Sequence, residues 1–228
     1  MHPGQLSLPI RGSAQFDDPV WAGRFQDLAN QMVLLSAKPK LISRYTGLTA
    51  KAISDRYQRL TGHVGSPGRL PQSQPKHYAI PHSRAGLDWT VQSAAFASIY
   101  LKLERAFEEP VNRGWLLVTA FQAYQRLTDP LQRKLPRLCR INFNNAYDLV
   151  THLRYGISRK DAPLALQNCS SCGTSYLVIT ELELDHQSCP MCAIQARYRL
   201  LVENSERISA TRQASAAKKA RHAIHSRM

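Results

Sequence analysis

The sequence predicts a mainly α-helical protein: a helical body containing a helix-turn-helix-like unit, then a small four-cysteine zinc-binding segment, then a basic C-terminal tail. Three observations carry this. Apolar residues recur at helical spacing through most of residues 21–155. Two Cys-x-x-Cys pairs, Cys169/Cys172 and Cys189/Cys192, flank sixteen residues near the end. Lys and Arg number 30 against 16 acids, a net charge of +14 in a chain of 228 residues that is 43% hydrophobic. That apolar content suffices for a core, and the charge favours polyanions, of which nucleic acid is the commonest in a cytoplasm.

The expected division is a flexible N-terminal arm over 1–20 and a helical DNA- and partner-binding body over 21–160. A zinc-binding segment follows over 165–200, then a basic, disordered tail over 203–228. The arm contains Pro, Gly and Ser without periodicity. From Trp21 a helix begins, with Phe25, Leu28, Met32 and Leu35 on one face. Pro39 suits the first turn of a second helix and Gly47 the turn after it. Thr49 caps a third helix, on which Ile53, Tyr57 and Leu60 share a face, and Gly62 ends it. The stretch HVGSPGRLPQSQPKHYAIPHSRAG reads as a loop or arm.

LDWTVQSAAFASIYLKLERAF is apolar almost all round, so it is expected to be buried on most sides, with Asp88 as its N-cap. NRGWLLVTAFQAYQRL resumes after Pro110 and is expected to stop before Pro130. A further helix is expected over about Asn144 to Tyr155, ahead of Gly156. SRKDAPLALQN then links the body to the cysteines. TSYLVITELELDH, between the two pairs, suits a hairpin or strand-loop segment, and AIQARYRLLVEN a short helix. Arg207 to Met228 holds six Lys or Arg and no acid. No internal repeat appears, and no heptad run is long enough for a coiled coil. No apolar run approaches the roughly 20 residues of a membrane span, and the N-terminus has no secretory pattern, so a cytoplasmic location is expected.

Cytoplasmic thiols stay reduced, and five cysteines fit a disulfide framework poorly. Zn²⁺ accepts four thiolates in a tetrahedron, and each Cys-x-x-Cys turn presents two sulfurs to one ion. Gly173 and Pro190 are turn residues where tight knuckles need them. A thioredoxin-like redox pair explains one Cys-x-x-Cys but not two, and the spacing differs from the common ferredoxin runs. Zinc deaminases need an H-x-E, which is missing. Cys169, Cys172, Cys189 and Cys192 are therefore expected to hold one structural zinc with no open position for water. Cys139 reads as a buried small apolar residue.

PKLISRYTGLTAKAISDRYQRL has the arrangement of a helix-turn-helix, with Leu41, Ile42 and Tyr45 on the first helix and Gly47 in the turn. Thr49, Lys51, Ser54, Arg56 and Arg59 are expected on or near open faces of the second helix, where hydroxyls and Lys reach phosphates and Arg reads guanine edges. Arg44 and Arg69 complete the candidate DNA contacts. An ordinary αα-hairpin with a solvated charged face gives the same spacing. Lys218, Lys219, Arg221 and Arg227 are either solvated or an arm that orders on phosphate. The eight histidines show no paired ligand spacing; His222 and His225 read as surface residues. Trp21, Trp89 and Trp115 read as core or subunit-interface anchors. No nucleotide-cradling Gly loop, nucleophile elbow or open metal site is present, so no enzyme is expected.

Taken in order, AISDRYQRLTGHVGSPGRLP, DWTVQSAAFASIYLKL and CSSC…CPMC resemble the FlhC family over about Arg24 to Leu201. The resemblance implies a transcription activator subunit with Cys169, Cys172, Cys189 and Cys192 as zinc ligands. It implies binding to double-stranded promoter DNA with an FlhD-like protein in a heterohexamer-type complex, and engagement of RNA polymerase, with no membrane partner. Flagellar genes are the implied targets; FlhC-like proteins of conjugative elements activate transfer genes instead. The rival from another class is a zinc-stabilised interaction protein that binds RNA or acidic partners.

Overall fold

A computed structural model describes residues 19–80, 84–106, 112–153, 162–182, 189–200, 203–204 and 207–208. The expected N-terminal arm before Pro19 and the tail cations Lys218, Lys219, Arg221 and Arg227 lie outside these residues, as do His222 and His225.

The chain is mainly helical, as its periodicity implies. Helix α1 (Pro19–Leu34) buries Phe25, Leu28 and Met32, the expected face, together with Ala29 and Val33. Leu35 lies just past its end. There Ser36 takes a left-handed φ of 59°, while Ala37 N donates to Met32 O at 2.9 Å and Ser36 N to Val33 O at 2.9 Å. These two bonds satisfy carbonyls that a helix terminus otherwise leaves open.

Helix α2 (Pro39–Thr46) starts on a proline at its first position and stops at Gly47, φ 68°. Helix α3 (Ala50–Thr61) starts at Thr49, whose hydroxyl oxygen accepts from Ala52 N at 3.3 Å, and stops at Gly62, φ 70°. Ser43 Oγ donates to Leu48 O at 2.9 Å and fixes the turn between them. The buried face of α2 is Leu41, Ile42, Tyr45 and Thr46; that of α3 is Ile53, Arg56 and Tyr57. Leu60, expected beside Ile53 and Tyr57, is exposed instead.

The Pro-rich stretch after α3 is tied down rather than loose. Gly65 is buried where a Cβ would lie 2.6 Å from the Tyr57 ring. Lys38 Nζ donates to Arg69 O, and Ser73 N donates to the buried Asp148 carboxylate at 2.9 Å. Within this stretch a short helix, α4 (Lys76–Ala79), seats Tyr78 in the core, with its hydroxyl donating to Asp148 Oδ2 at 2.7 Å.

Helix α5 (Arg84–Ala106) is the central pillar and packs against α4 and against three elements that follow it: α6 (Arg113–Lys134), α7 (Phe143–Leu153) and a two-stranded sheet. Its all-round apolar character is the consequence. The helix begins one turn before Asp88, so Asp88 lies inside it and is not the cap. Asn112 caps α6 through its side chain, which accepts from Gly114 N at 2.8 Å. Pro130 does not stop α6, which continues to Lys134 and closes with Leu135 N donating to Leu131 O at 2.8 Å. The exposed edge of the helix tolerates the one amide that proline removes. Phe96, Phe121, Tyr124 and Phe143 form an edge-to-face aromatic core between α5, α6 and α7, with Phe121 and Phe143 centroids 5.3 Å apart. Trp89 packs partly buried on Tyr78, and Trp115 partly buried on the core, as anchors. Cys139 is half-buried.

The sheet is an antiparallel hairpin of β1 (Leu164–Asn168) and β2 (Ser175–Ile179). It closes around the first cysteine pair: β2 lies between the two pairs, where a hairpin or strand-loop segment is expected, and its partner β1 is a strand within the expected linker. Pairing puts Leu164 opposite Ile179 and Leu166 opposite Leu177, and these four pack into the main core. The intervening positions, Ala165, Tyr176 and Val178, face the other way. The hairpin is therefore a plate with two apolar faces.

Candidate metal centre and nucleic-acid interface

The outer face of that plate carries the cysteines. Tyr176 and Val178 pack with Ala165, Cys169, Cys172, Cys189, Met191 and Cys192 in a second small cluster, separate from the main core. Cys169 follows β1 and Cys172 precedes β2, so the first knuckle is the tip of the hairpin. Gly173, φ 71°, turns the chain back, with its amide donating to Cys169 O at 2.9 Å. The amides of Cys172 and Ser171 donate to the Cys169 sulfur and lower its pKa.

The second knuckle is built from a helix start. Residues 190–200 are helical, Pro190 stands at the first position, and Ala193 N donates to Cys189 O at 3.0 Å. The amides of Cys192 and Met191 donate to the Cys189 sulfur, the pattern of an N-cap side chain. Thus both knuckles aim two backbone amides at the sulfur of their leading cysteine. Only the first requires a glycine, since the helix makes the second turn.

All four sulfurs lie within 4.8 Å of one another. Cys169 and Cys192 Sγ are 3.6 Å apart, and Cys172 and Cys189 Sγ are 3.7 Å apart. A tetrahedron with metal–sulfur bonds of about 2.3 Å has sulfur–sulfur edges of about 3.8 Å, so the four sulfurs fit one metal ion. Charge points the same way. Hydrogen bonds from the Thr174 hydroxyl and amide bring Cys172 down to about 6. Sharing with Cys172 and Cys169 pushes Cys192 up to about 12, and burial pushes Cys189 up. Four thiolates this close repel, so a cation is what allows all four to ionise together.

The candidate DNA contacts fall into two groups. Thr49, Lys51, Ser54 and Arg59 are exposed along α3, and Arg69 is exposed on the arm after it. Arg44, exposed on α2, is tied to α7: its guanidinium donates to Tyr147 Oη at 2.6 Å and lies 5.8 Å over that ring. Arg56 is not on the open face. It is 8% exposed, and its Nε donates to Asn30 Oδ1 on α1 at 3.1 Å. Burial, then the neighbouring Arg59 charge, lower its pKa. The reason is geometric, because position 56 is three residues after Ile53 and turns with it toward α1.

Sequence reasoning missed Asp148 as an organiser. It accepts from Tyr78 Oη and Ser73 N, and His152 Nε2 lies 2.8 Å from Ser73 O, so α7 holds the end of the arm. A lone acid in an apolar helix was the available signal. No helix among the described residues is long and apolar enough to cross a membrane. No protein-family model matches the chain, and no curated protein matches it. The likeness to the FlhC family thus rests on the quoted segments and on the order in which they occur.

Proposed function

We propose that this chain is a zinc-braced DNA-binding subunit of a transcription activator. In this reading it acts in the cytoplasm, in a hetero-oligomer with an FlhD-like partner on double-stranded promoter DNA, and engages RNA polymerase. Flagellar genes are the first target class and conjugative-transfer genes the second.

One observation carries the reading. Helix α3 buries Ile53, Arg56 and Tyr57 and leaves Lys51, Ser54 and Arg59 exposed on a chain of net charge +14. A helix held from behind by α1 and α2, with hydroxyls and cations in front, suits insertion into a major groove. Zinc is the proposed metal because four thiolates in a tetrahedron suit it and leave no open position for catalysis. Its role is to hold the two knuckles on the outer face of the β1–β2 plate.

The test is a low-salt mobility shift of duplex promoter DNA with the zinc-loaded chain, alone and with the FlhD-like partner. Binding that requires the partner, and that weakens in Lys51→Ala and Arg59→Ala, is the expected result. Binding of RNA or of an acidic protein in preference to duplex DNA would overturn the proposal.

A further inference from the structure

Helix α7 grips both ends of α2. At the start, Asn144 Oδ1 accepts from Lys38 N at 2.8 Å, and Asn144 Nδ2 donates to Ser36 O at 3.1 Å. In the last turn, Arg44 Nη1 donates to Tyr147 Oη at 2.6 Å. Asn144 and Tyr147 are three residues apart and share one face of α7. Tyr147 is itself held: it is buried, and its ring meets Tyr45 edge-on with centroids 6.2 Å apart.

Arg44 is thereby fixed while most of its donors stay open. Its Cζ lies 5.8 Å from the Tyr147 ring centroid, and the hydroxyl accepts only one of the guanidinium N–H groups. The residue is exposed, and no carboxylate among the described residues pairs with it. Arg56 is the contrast, buried and with its Nε and Nη1 both donating to protein oxygens. Lys40, one turn before Arg44 on the same side of α2, is also exposed and has no carboxylate partner among the described residues. An arginine that is free in solution loses rotamer freedom when it binds an anion. Arg44 has lost that freedom on folding, and its planar fork is oriented before an oxyanion arrives.

We infer that Tyr147 is a positioning residue that presets Arg44 to take an oxyanion, a phosphate of the duplex backbone. The inference rests on the DNA-binding reading and deepens it. In a helix-turn-helix the first helix crosses the phosphate backbone while the second enters the groove, and α2 is the first helix here. Tyr147 acts through Arg44 and does not itself touch nucleic acid.

The experiment is a double-mutant cycle over parent, Y147F, R44Q and Y147F/R44Q, with the zinc-loaded chain and its FlhD-like partner. The probe is a labelled mixed-sequence duplex of about 40 base pairs, since phosphate contacts carry no sequence information. Y147F keeps the ring and removes the acceptor, while Asn144 still holds the start of α2. R44Q should weaken binding about tenfold and make the salt slope shallower by about 1. Y147F should weaken binding about threefold, and Y147F/R44Q should bind like R44Q alone. A merely structural tyrosine would cost the same in both backgrounds. NMR relaxation of the Arg44 Nε–H group in the free chain gives a readout without DNA, restrained in the parent and mobile in Y147F. Parental affinity in Y147F, an equal loss with and without Arg44, or an Arg44 equally mobile in parent and Y147F overturns the inference and leaves the DNA reading in place. No duplex binding by the parent at low salt overturns that reading, and the inference with it.

Discussion

Cys189 Sγ lies 3.7 Å from Cys172 Sγ, across the gap between a helix start and a hairpin tip. The two elements thus meet at a position where the four sulfurs could hold one metal ion. Replacing either Cys172 or Cys189 with Ser removes a ligand and should leave the outer face of the plate without its brace. Elemental analysis should give about one zinc per parent chain and much less in the variants, with lower folded yield. A chelator should lower the melting temperature of the parent but not that of the variants.

Arg56 and Arg59 differ in exposure on one helix: the first is buried and the second is exposed. Arg56→Ala removes a charged hydrogen bond to Asn30 and a buried stem, so it should cost about 1–3 kcal/mol in urea unfolding. Arg59→Ala should change stability by less than about 0.5 kcal/mol while weakening duplex DNA binding.

Gly65→Ala places a methyl group 2.6 Å from the Tyr57 ring. Either the arm or the ring must move, at a cost of about 1–3 kcal/mol. Since Lys38 and Asp148 also hold this arm, the same variant should increase proteolysis between Gly62 and Ser73.

Buried tyrosines set the alkaline limit. Burial raises Tyr45 and Tyr78, and pushes Tyr124 up to about 12. Unfolded tyrosine ionises near pH 10, so above that pH the unfolded state holds fewer protons than the folded one. Their contribution to stability is therefore complete below about pH 10 and falls as pH rises toward 12. Urea midpoints should be flat from about pH 8 to about pH 9.5 and then decline, and Tyr124→Phe should make the decline shallower.

The metal centre was legible in the sequence because its chemistry is local: ligand identity and spacing within each knuckle carry it. The α2–α3 unit was legible for similar reasons, since Pro39, Gly47, Thr49 and Gly62 each have a backbone role that the residue type alone specifies. What could not be read depends on distant packing. LALQN has no β-branched residue, and its alternation acquires meaning only when Leu164 and Leu166 meet Ile179 and Leu177. The placement of Arg56 follows from where α1 lies, which no residue in α3 encodes. Tyr78 sits between prolines in a stretch that looks like pure loop, and only its bond to Asp148 explains the short helix around it.

The central claim is that the exposed cations of α3 bind the phosphates of duplex DNA. It is tested most directly by the salt dependence of duplex binding by the zinc-loaded chain with its FlhD-like partner. The account predicts a linear fall of log K with log salt, with a slope of roughly −3 or steeper, made shallower by about 1 in Lys51→Ala or Arg59→Ala. Failure to bind duplex DNA at low salt, or a slope unchanged by both substitutions, would contradict it.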